Sequence, residues 1–260
     1  MLTLACLSLS GGQGKTTTAV LLGKRLAASG HPVLVIDADP QSNLTTFLGH
    51  DVEANAPTLL EVFRGSVALE DAIYPTTSEN LFLIPADDGL DAVQDYLASS
   101  GVGAMLLRKR LAPAQDSFAI AVVDCPPQRS QICKSVIGAS DRILVPCEAT
   151  VKGYGSLVRT LDAIAELKDM GASEAELLGV IPFRDRWVGM NQSQESRACI
   201  EEMRREVGPD RVLPSIRESE RYKQAISKGL TLEALGFPDL EYPFQVLEQR
   251  LSTLTVTAQS

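Results

Sequence analysis

Short apolar runs recur along this chain, each closed by glycine, proline or aspartate, and amphipathic stretches fill the spaces between them. The runs are Leu2 to Leu9, Val33 to Ile36, Leu81 to Pro85, Phe118 to Asp124, Asp141 to Glu148 and Leu177 to Phe183, with a shorter one over Arg211 to Ile216. Apolar runs of this length without alternation predict strands buried on both faces of a parallel sheet. Helical patterns occupy Thr16 to Ser29, the surroundings of Leu59–Phe63 and Leu69–Ala72, Gly89 to Ser99, Ala104 to Leu111, Ser156 to Lys168, Ser193 to Val207 and Arg217 to Lys228. From Tyr242 the tail begins amphipathic through Phe244, Val246, Leu247, Leu251 and Leu254, which predicts a helix docked on the core with a frayed end at Ser260. Strands alternating with helices give an α/β fold: one domain over residues 1–260, a mostly parallel twisted sheet with helices on both faces, and a C-terminal helix and tail over residues 243–260.

Composition narrows this picture. Apolar residues make up 45% of the 260, enough for a substantial core. The net charge of -9 excludes a protein that is basic all over, so nucleic-acid contact would need a local patch. Five cysteines without a Cys-x-x-Cys pair predict a reducing compartment, with Cys6 and Cys147 as small core residues. No apolar stretch approaches the roughly 18 residues of a membrane span. The first strand follows the N-terminus directly, so neither a signal peptide nor a DNA-reading domain ahead of the first glycine turn is expected. His31 and His50 follow glycines in turns and read as solvated.

Three strand ends carry chemistry. The first strand runs into Ser10-Gly11-Gly12-Gln13-Gly14-Lys15-Thr16-Thr17-Thr18 and then a helix. That context suits a phosphate loop: glycines let backbone N–H groups converge on an oxyanion, and a helix N-terminus adds its positive end. Lys15 can reach the β- and γ-phosphates, and Thr16 can place a hydroxyl on Mg²⁺. The second strand ends in Asp37-Ala38-Asp39-Pro40-Gln41-Ser42-Asn43, with two carboxylates where open α/β sheets bind ligands; a turn rich in Asp, Pro and Asn is the plainer reading. The third run ends at Asp124, placed to reach a magnesium ion through water.

Gly11-Gly12-Gln13-Gly14-Lys15-Thr16-Thr17, Asp37-Ala38-Asp39-Pro40-Gln41 and Asp124-Cys125-Pro126-Pro127 occur in that order. Together they resemble the deviant Walker A motifs of the ParA/MinD family of partitioning ATPases, and the resemblance extends from Leu2 to about Leu251. It implies ATP and Mg²⁺ as cofactors. The nucleotide would be held by Gly11, Gly12, Gln13, Gly14, Lys15, Thr16 and Thr17, and the metal by Thr16, Asp37 and Asp124. Asp39 would position the attacking water. Adenine would be held by the loops after the last two strands, at Phe183, Pro214 and Ile216. The family's signature lysine before Gly-Gly is here Ser10, which resembles the carboxysome-positioning, McdA-type branch.

The resemblance further implies an ATP-dependent homodimer that binds nucleoid DNA without sequence preference. It implies hydrolysis stimulated by an adaptor protein, and a cytoplasmic, nucleoid-associated location. Plasmid or chromosome partition is the alternative cargo. A small-molecule ligase on the same fold is the alternative chemistry. DNA contacts are expected at Arg184, Arg186, Arg217, Arg221, Lys223 and Lys228, which Glu218 and Glu220 dilute, so a solvated helix face is the other reading. The tail has too little positive charge for a membrane-binding helix, so no membrane partner is expected. If the closed dimer forms, another cation must replace the missing lysine. Lys152, in a segment freed by Gly153 and Gly155, is the first choice, and Arg129 the rival.

Overall fold

The computed structural model describes residues 1–257, with side chains described through Leu254; the frayed end expected at 258–260 lies outside the described residues. The strands in chain order are β1 (Leu2–Cys6), β2 (Val33–Asp37), β3 (Tyr74–Pro75), β4 (Leu81–Ile84), β5 (Ile120–Asp124), β6 (Arg142–Glu148), β7 (Glu176–Asp185), β8 (Trp187–Val188), β9 (Asn191–Gln192) and β10 (Ile216–Arg217). Eight of them form one sheet in the order β10-β7-β6-β1-β5-β2-β4-β3, while β8 and β9 make a separate hairpin. Pairing in the large sheet is parallel throughout except for β3 on β4.

The helices are α1 (Lys15–Ala28), α2 (Asn43–Phe47), α3 (Leu59–Arg64), α4 (Val93–Ser99), α5 (Gly103–Leu111), α6 (Gln131–Ala139), α7 (Val151–Asp169), α8 (Gln194–Val207), α9 (Arg221–Ser227) and α10 (Pro238–Thr257). They cover both faces of the sheet, as the unalternating strands demand. Along β1 and just past it, Leu4 and Cys6 join a core with α1, α2, α9 and α10, while Ala5 and the following Leu7 join the opposite core with α3 to α8.

The expected tail helix is present and begins earlier, at Pro238. Phe244, Leu247 and Leu251 are fully buried in it. Each such side chain contributes roughly 1.5–3 kcal/mol. Arg25 of α1 reinforces the docking by pairing with Glu248 at 2.7 Å and Glu233 at 2.8 Å. Among the described residues, no helix is long and apolar enough to cross a membrane. All five cysteines are buried and free.

Three expected elements change. The strand expected over Arg211 to Ile216 shrinks to β10, because Pro209–Arg211 forms a 3-10 turn and Pro214 offers no ladder N–H. The helix expected from Arg217 begins only at Arg221, since Arg217 pairs alongside Asp185 in the sheet. The helix expected from Ser156 begins at Val151, where the Thr150 hydroxyl accepts from Gly153 N–H at 3.2 Å and caps it. Gly153 is therefore helical. A Cβ there would lie 2.0 Å from the Glu148 carbonyl, so the glycine permits close packing rather than a mobile loop.

Candidate active site

Strand β1 lies between β5 and β6, so the loop that follows it emerges at the middle of the sheet's C-terminal rim. Gly14 ends that loop with φ +90, and a Cβ on it would meet the Phe183 ring at 2.5 Å. Both the backbone conformation and the close approach require glycine. The N-terminus of α1 has no side-chain cap and no acidic residue in its first turn, which leaves its N–H groups for an anion. The buried Lys15 ammonium donates to the Ser10 carbonyl at 3.0 Å, within the turn it would serve.

Polar contacts from two other elements hold the loop. Gln13 is fully buried and its Oε1 accepts the Glu148 N–H at 2.9 Å, tying the loop to the end of β6. Helix α7 contributes three side chains spaced as one helical face. Ser156 Oγ meets Ser8 Oγ at 3.1 Å, Thr160 Oγ1 accepts the Leu9 N–H at 3.1 Å, and Arg159 donates to Ser10 Oγ at 3.1 Å. Sequence reasoning missed this row. Its signal was the i, i+3, i+4 spacing of Ser156, Arg159 and Thr160.

Asp37 and Asp124 end adjacent strands and are direct register partners. The Asp37 carboxylate accepts Thr45 N–H at 2.9 Å, Thr45 hydroxyl at 2.8 Å and Asp39 N–H at 3.2 Å. Burial nevertheless pushes its carboxyl up to about 6 against these bonds. Both oxygens of Asp124 are buried without a hydrogen-bond partner. Burial, then the Asp37 charge, raise the Asp124 carboxyl well above the usual range, while the Thr16 hydroxyl and Lys15 favour its charged form. Asp39 is buried on the same rim, its Oδ1 accepting the Gln41 N–H at 3.0 Å. An orphaned carboxylate beside a threonine hydroxyl, a lysine and a second carboxylate fits a hydrated magnesium ion. Such an ion takes one or two carboxylates and completes its shell with phosphate oxygens and water.

Of the two substitute cations, Lys152 stands exposed in the first turn of α7, next to Gly153, whose Cβ position lies 3.1 Å from Gln13 Oε1. Arg129 is paired with Glu166 on the same helix. Around the expected adenine contacts, Phe183 is buried against Gly14, Ile216 is fully buried in the core, and Pro214 lines an open cavity with Trp187.

Of the expected DNA residues, Arg184, Arg186 and Arg217 lie at the β7–β10 edge. Arg221, Lys223 and Lys228 follow on α9 and just past its end, Lys228 lining a cavity with Thr77 of the β3–β4 turn. Several are already engaged. Arg184 pairs with Glu148 at 3.4 Å, Arg217 stacks on Trp187 at 4.5 Å, Arg221 stacks on Phe237 at 4.6 Å and Lys223 pairs with Glu220 at 3.1 Å. Arg186 and Lys228 are exposed.

The family described as an AAA domain matches residues 1–172. The chain is 51% identical to "Maintenance of carboxysome distribution protein A" of Synechococcus elongatus, over 96% of this chain and 99% of that protein. To the protein of the same name from Gloeothece citriformis it is 54% identical, over 96% and 97%. The solved ATP complex of an aspartate-to-alanine variant of McdA from Cyanothece superposes with a TM-score of 0.94 at 52% identity, over 97% of this chain and 96% of that one.

Proposed function

We propose that this chain, which belongs to the ParA-like family of P-loop ATPases and within it to the carboxysome-distribution (McdA) branch, is an ATP-driven switch that positions carboxysomes on the nucleoid. ATP binding is supported by the ATP complex of the Cyanothece relative. Hydrolysis, dimerisation, DNA binding and stimulation by an adaptor protein are this reading's own steps. The observation that carries it is the unpartnered, buried Asp124 facing an uncapped phosphate loop that already holds Lys15 and Thr16.

Magnesium, when bound, neutralises charge on the phosphates; Thr16 and Asp124 would hold it, with Asp37 supporting its waters. The loop's N–H groups and Lys15 orient the γ-phosphate, and Asp39 aligns a water for in-line attack. Lys152 supplies the cation that crosses to the second protomer's phosphates. Two observations favour it over Arg129: Lys152 has no ion pair among the described residues, and its helix is pinned to the loop through Ser156, Arg159 and Thr160. Closure then joins the exposed cations at the β7–β10 edge of two protomers into one DNA-binding face.

The test is retention of the purified Asp39→Ala protein on non-specific duplex DNA, together with its sedimentation. The expected result is ATP-dependent dimerisation, and DNA retention that falls steeply with salt. Adding Lys152→Ala returns the protein to monomer. ATP-independent retention, or a monomer at saturating ATP, refutes the switch; a double variant that dimerises as tightly as its parent refutes only Lys152.

A further inference from the structure

Helix α1 carries a lysine that none of the nucleotide chemistry uses. Lys24 is 4% exposed and, among the described residues, has neither a hydrogen bond nor an ion pair. It lines a cavity of about 850 Å³ between α1, the end of α2, the end of β7 and α9. That volume lies within the range of small-molecule pockets. Lys24, Arg184, Lys223 and Lys228 all line it, and no aspartate or glutamate does, in a chain whose net charge is -9. Arg184 and Lys223 have carboxylate partners outside the cavity, at Glu148 and Glu220, whereas Lys24 and Lys228 have none. The rest of the wall mixes the apolar Phe47, Leu48 and Ile226 with the hydroxyl-bearing Thr17, Thr46, Thr77 and Ser227.

We infer that this cavity is a binding site for a small organic anion, a phosphate or carboxylate head on an apolar body, with the head on Lys24 and Lys228 and the body against Phe47 and Ile226. The Lys24 stem is buried and its ammonium opens onto the cavity without an acceptor among the described residues, and desolvation lowers its proton affinity from the ordinary lysine value. An oxyanion in the cavity offsets that desolvation through charge-assisted hydrogen bonds. A DNA backbone cannot supply the head. Duplex phosphates can reach exposed Lys223 and Lys228, but Lys24 lies recessed inside the cavity, where a rigid duplex backbone does not follow. Thr17 also lines the cavity, so it adjoins the nucleotide site without needing that site to be occupied.

The experiment is calorimetric titration of phenyl phosphate into the full-length protein and into its Lys24→Met, Lys228→Ala and Lys15→Ala variants, each with and without saturating ADP. Inorganic phosphate and benzoate serve as head-only and carboxylate controls. Lys24→Met keeps the buried stem, and Lys228→Ala changes an exposed helix end, so the second variant stands if the first fails to fold. The expected result is binding of phenyl phosphate that ADP does not displace and Lys15→Ala does not weaken, with a loss of about tenfold in Lys24→Met or Lys228→Ala. Displacement by ADP would make the cavity the base end of the nucleotide site. Loss in Lys15→Ala would place the probe in the phosphate loop. Either outcome overturns the inference, as does an absence of binding to the wild-type chain or equal affinity in the variants.

Discussion

Asp37 and Asp124 stand side by side at the ends of adjacent strands, yet their surroundings are opposite. Asp37 accepts three hydrogen bonds, two of them from Thr45 at the start of α2. Asp124 has no donor in hydrogen-bond geometry among the described residues, only the Thr16 hydroxyl and Lys15 close enough to favour its charge. Both are buried, so both are costly as anions, but only one has been compensated by the chain itself. The satisfied carboxylate ties α2 to the rim and fixes the turn that carries Asp39. The unsatisfied one is stored strain of a kind that persists at sites completed by something else. Two identical side chains thus differ in what the chain supplies to them, and in the proposed function that difference separates a positioning carboxylate from one that waits for a cation.

Lys15 gives the largest expected effect on that contrast. It is one of the two groups favouring ionised Asp124, and the proposed function places it on the β- and γ-phosphates. Lys15→Ala is expected to weaken ATP binding by about a hundredfold or more, measured by calorimetry. Affinity within about twofold of wild type would remove the phosphate-loop assignment. Asp39→Ala comes next: hydrolysis falls by about a hundredfold in a steady-state phosphate-release assay while ATP affinity is kept. Normal turnover in that variant would leave the Asp37-to-Asp39 segment as a turn with only a structural purpose.

Stability separates the two neighbours more finely. Thr45→Val removes the hydroxyl bond to Asp37 and leaves the Ala86 N–H, which Thr45 Oγ1 accepts at 3.1 Å, without a partner. It is expected to cost about 1–3 kcal/mol in denaturant unfolding. Asp124→Asn changes sign. Among the described residues no donor meets either Asp124 oxygen in hydrogen-bond geometry, and the nearby Thr16 hydroxyl and Lys15 offset burial only in part, so removing its charge should stabilise the nucleotide-free protein by about 1 kcal/mol while abolishing hydrolysis. A destabilised Asp124→Asn protein would mean that Thr16 and Lys15 already satisfy the carboxylate.

Much of this site was legible because its parts are contiguous strings. Gly11 to Thr17, Asp37 to Gln41 and Asp124 to Pro127 each lie at the end of an apolar run, and a parallel sheet brings such ends to one rim. What ties the strings together was not legible. Gln13 to Glu148, Ser10 to Arg159 and Ser8 to Ser156 are side-chain contacts between remote segments, and no local pattern announces them. The region from Arg211 to Lys228 was misread because its apolar and charged residues suit a strand and a helix, while Pro209, Pro214 and the pairing of Arg217 divide it otherwise. Gly153 was read as freedom, and the structure uses it for contact with the Glu148 carbonyl. Lys24 drew no notice, because a lysine inside a helical pattern is ordinarily a solvated one.

The smallest expected signal is a slope. Burial raises the Asp37 carboxyl from 3.8 to about 6, against the opposing bonds from Thr45 and Asp39. The folded protein therefore holds this proton more tightly than the unfolded chain. Between pH 3.8 and about 6 folding takes up a proton at Asp37, so the stability due to this group is greatest below that window and declines as pH rises through it. Other carboxylates act over the same range, so the readout is the difference in melting temperature between wild type and Asp37→Asn. The variant has a constant offset from its altered hydrogen bonds but no titration at this position. Wild type should lose ground to it from pH 4 to 6, and the difference should then level off. A difference independent of pH would mean that the three donors fully offset burial. A difference that grows in favour of wild type would mean that they outweigh it, making Asp37 the stronger anion of the pair and leaving Asp124 alone as the group that waits for a cation.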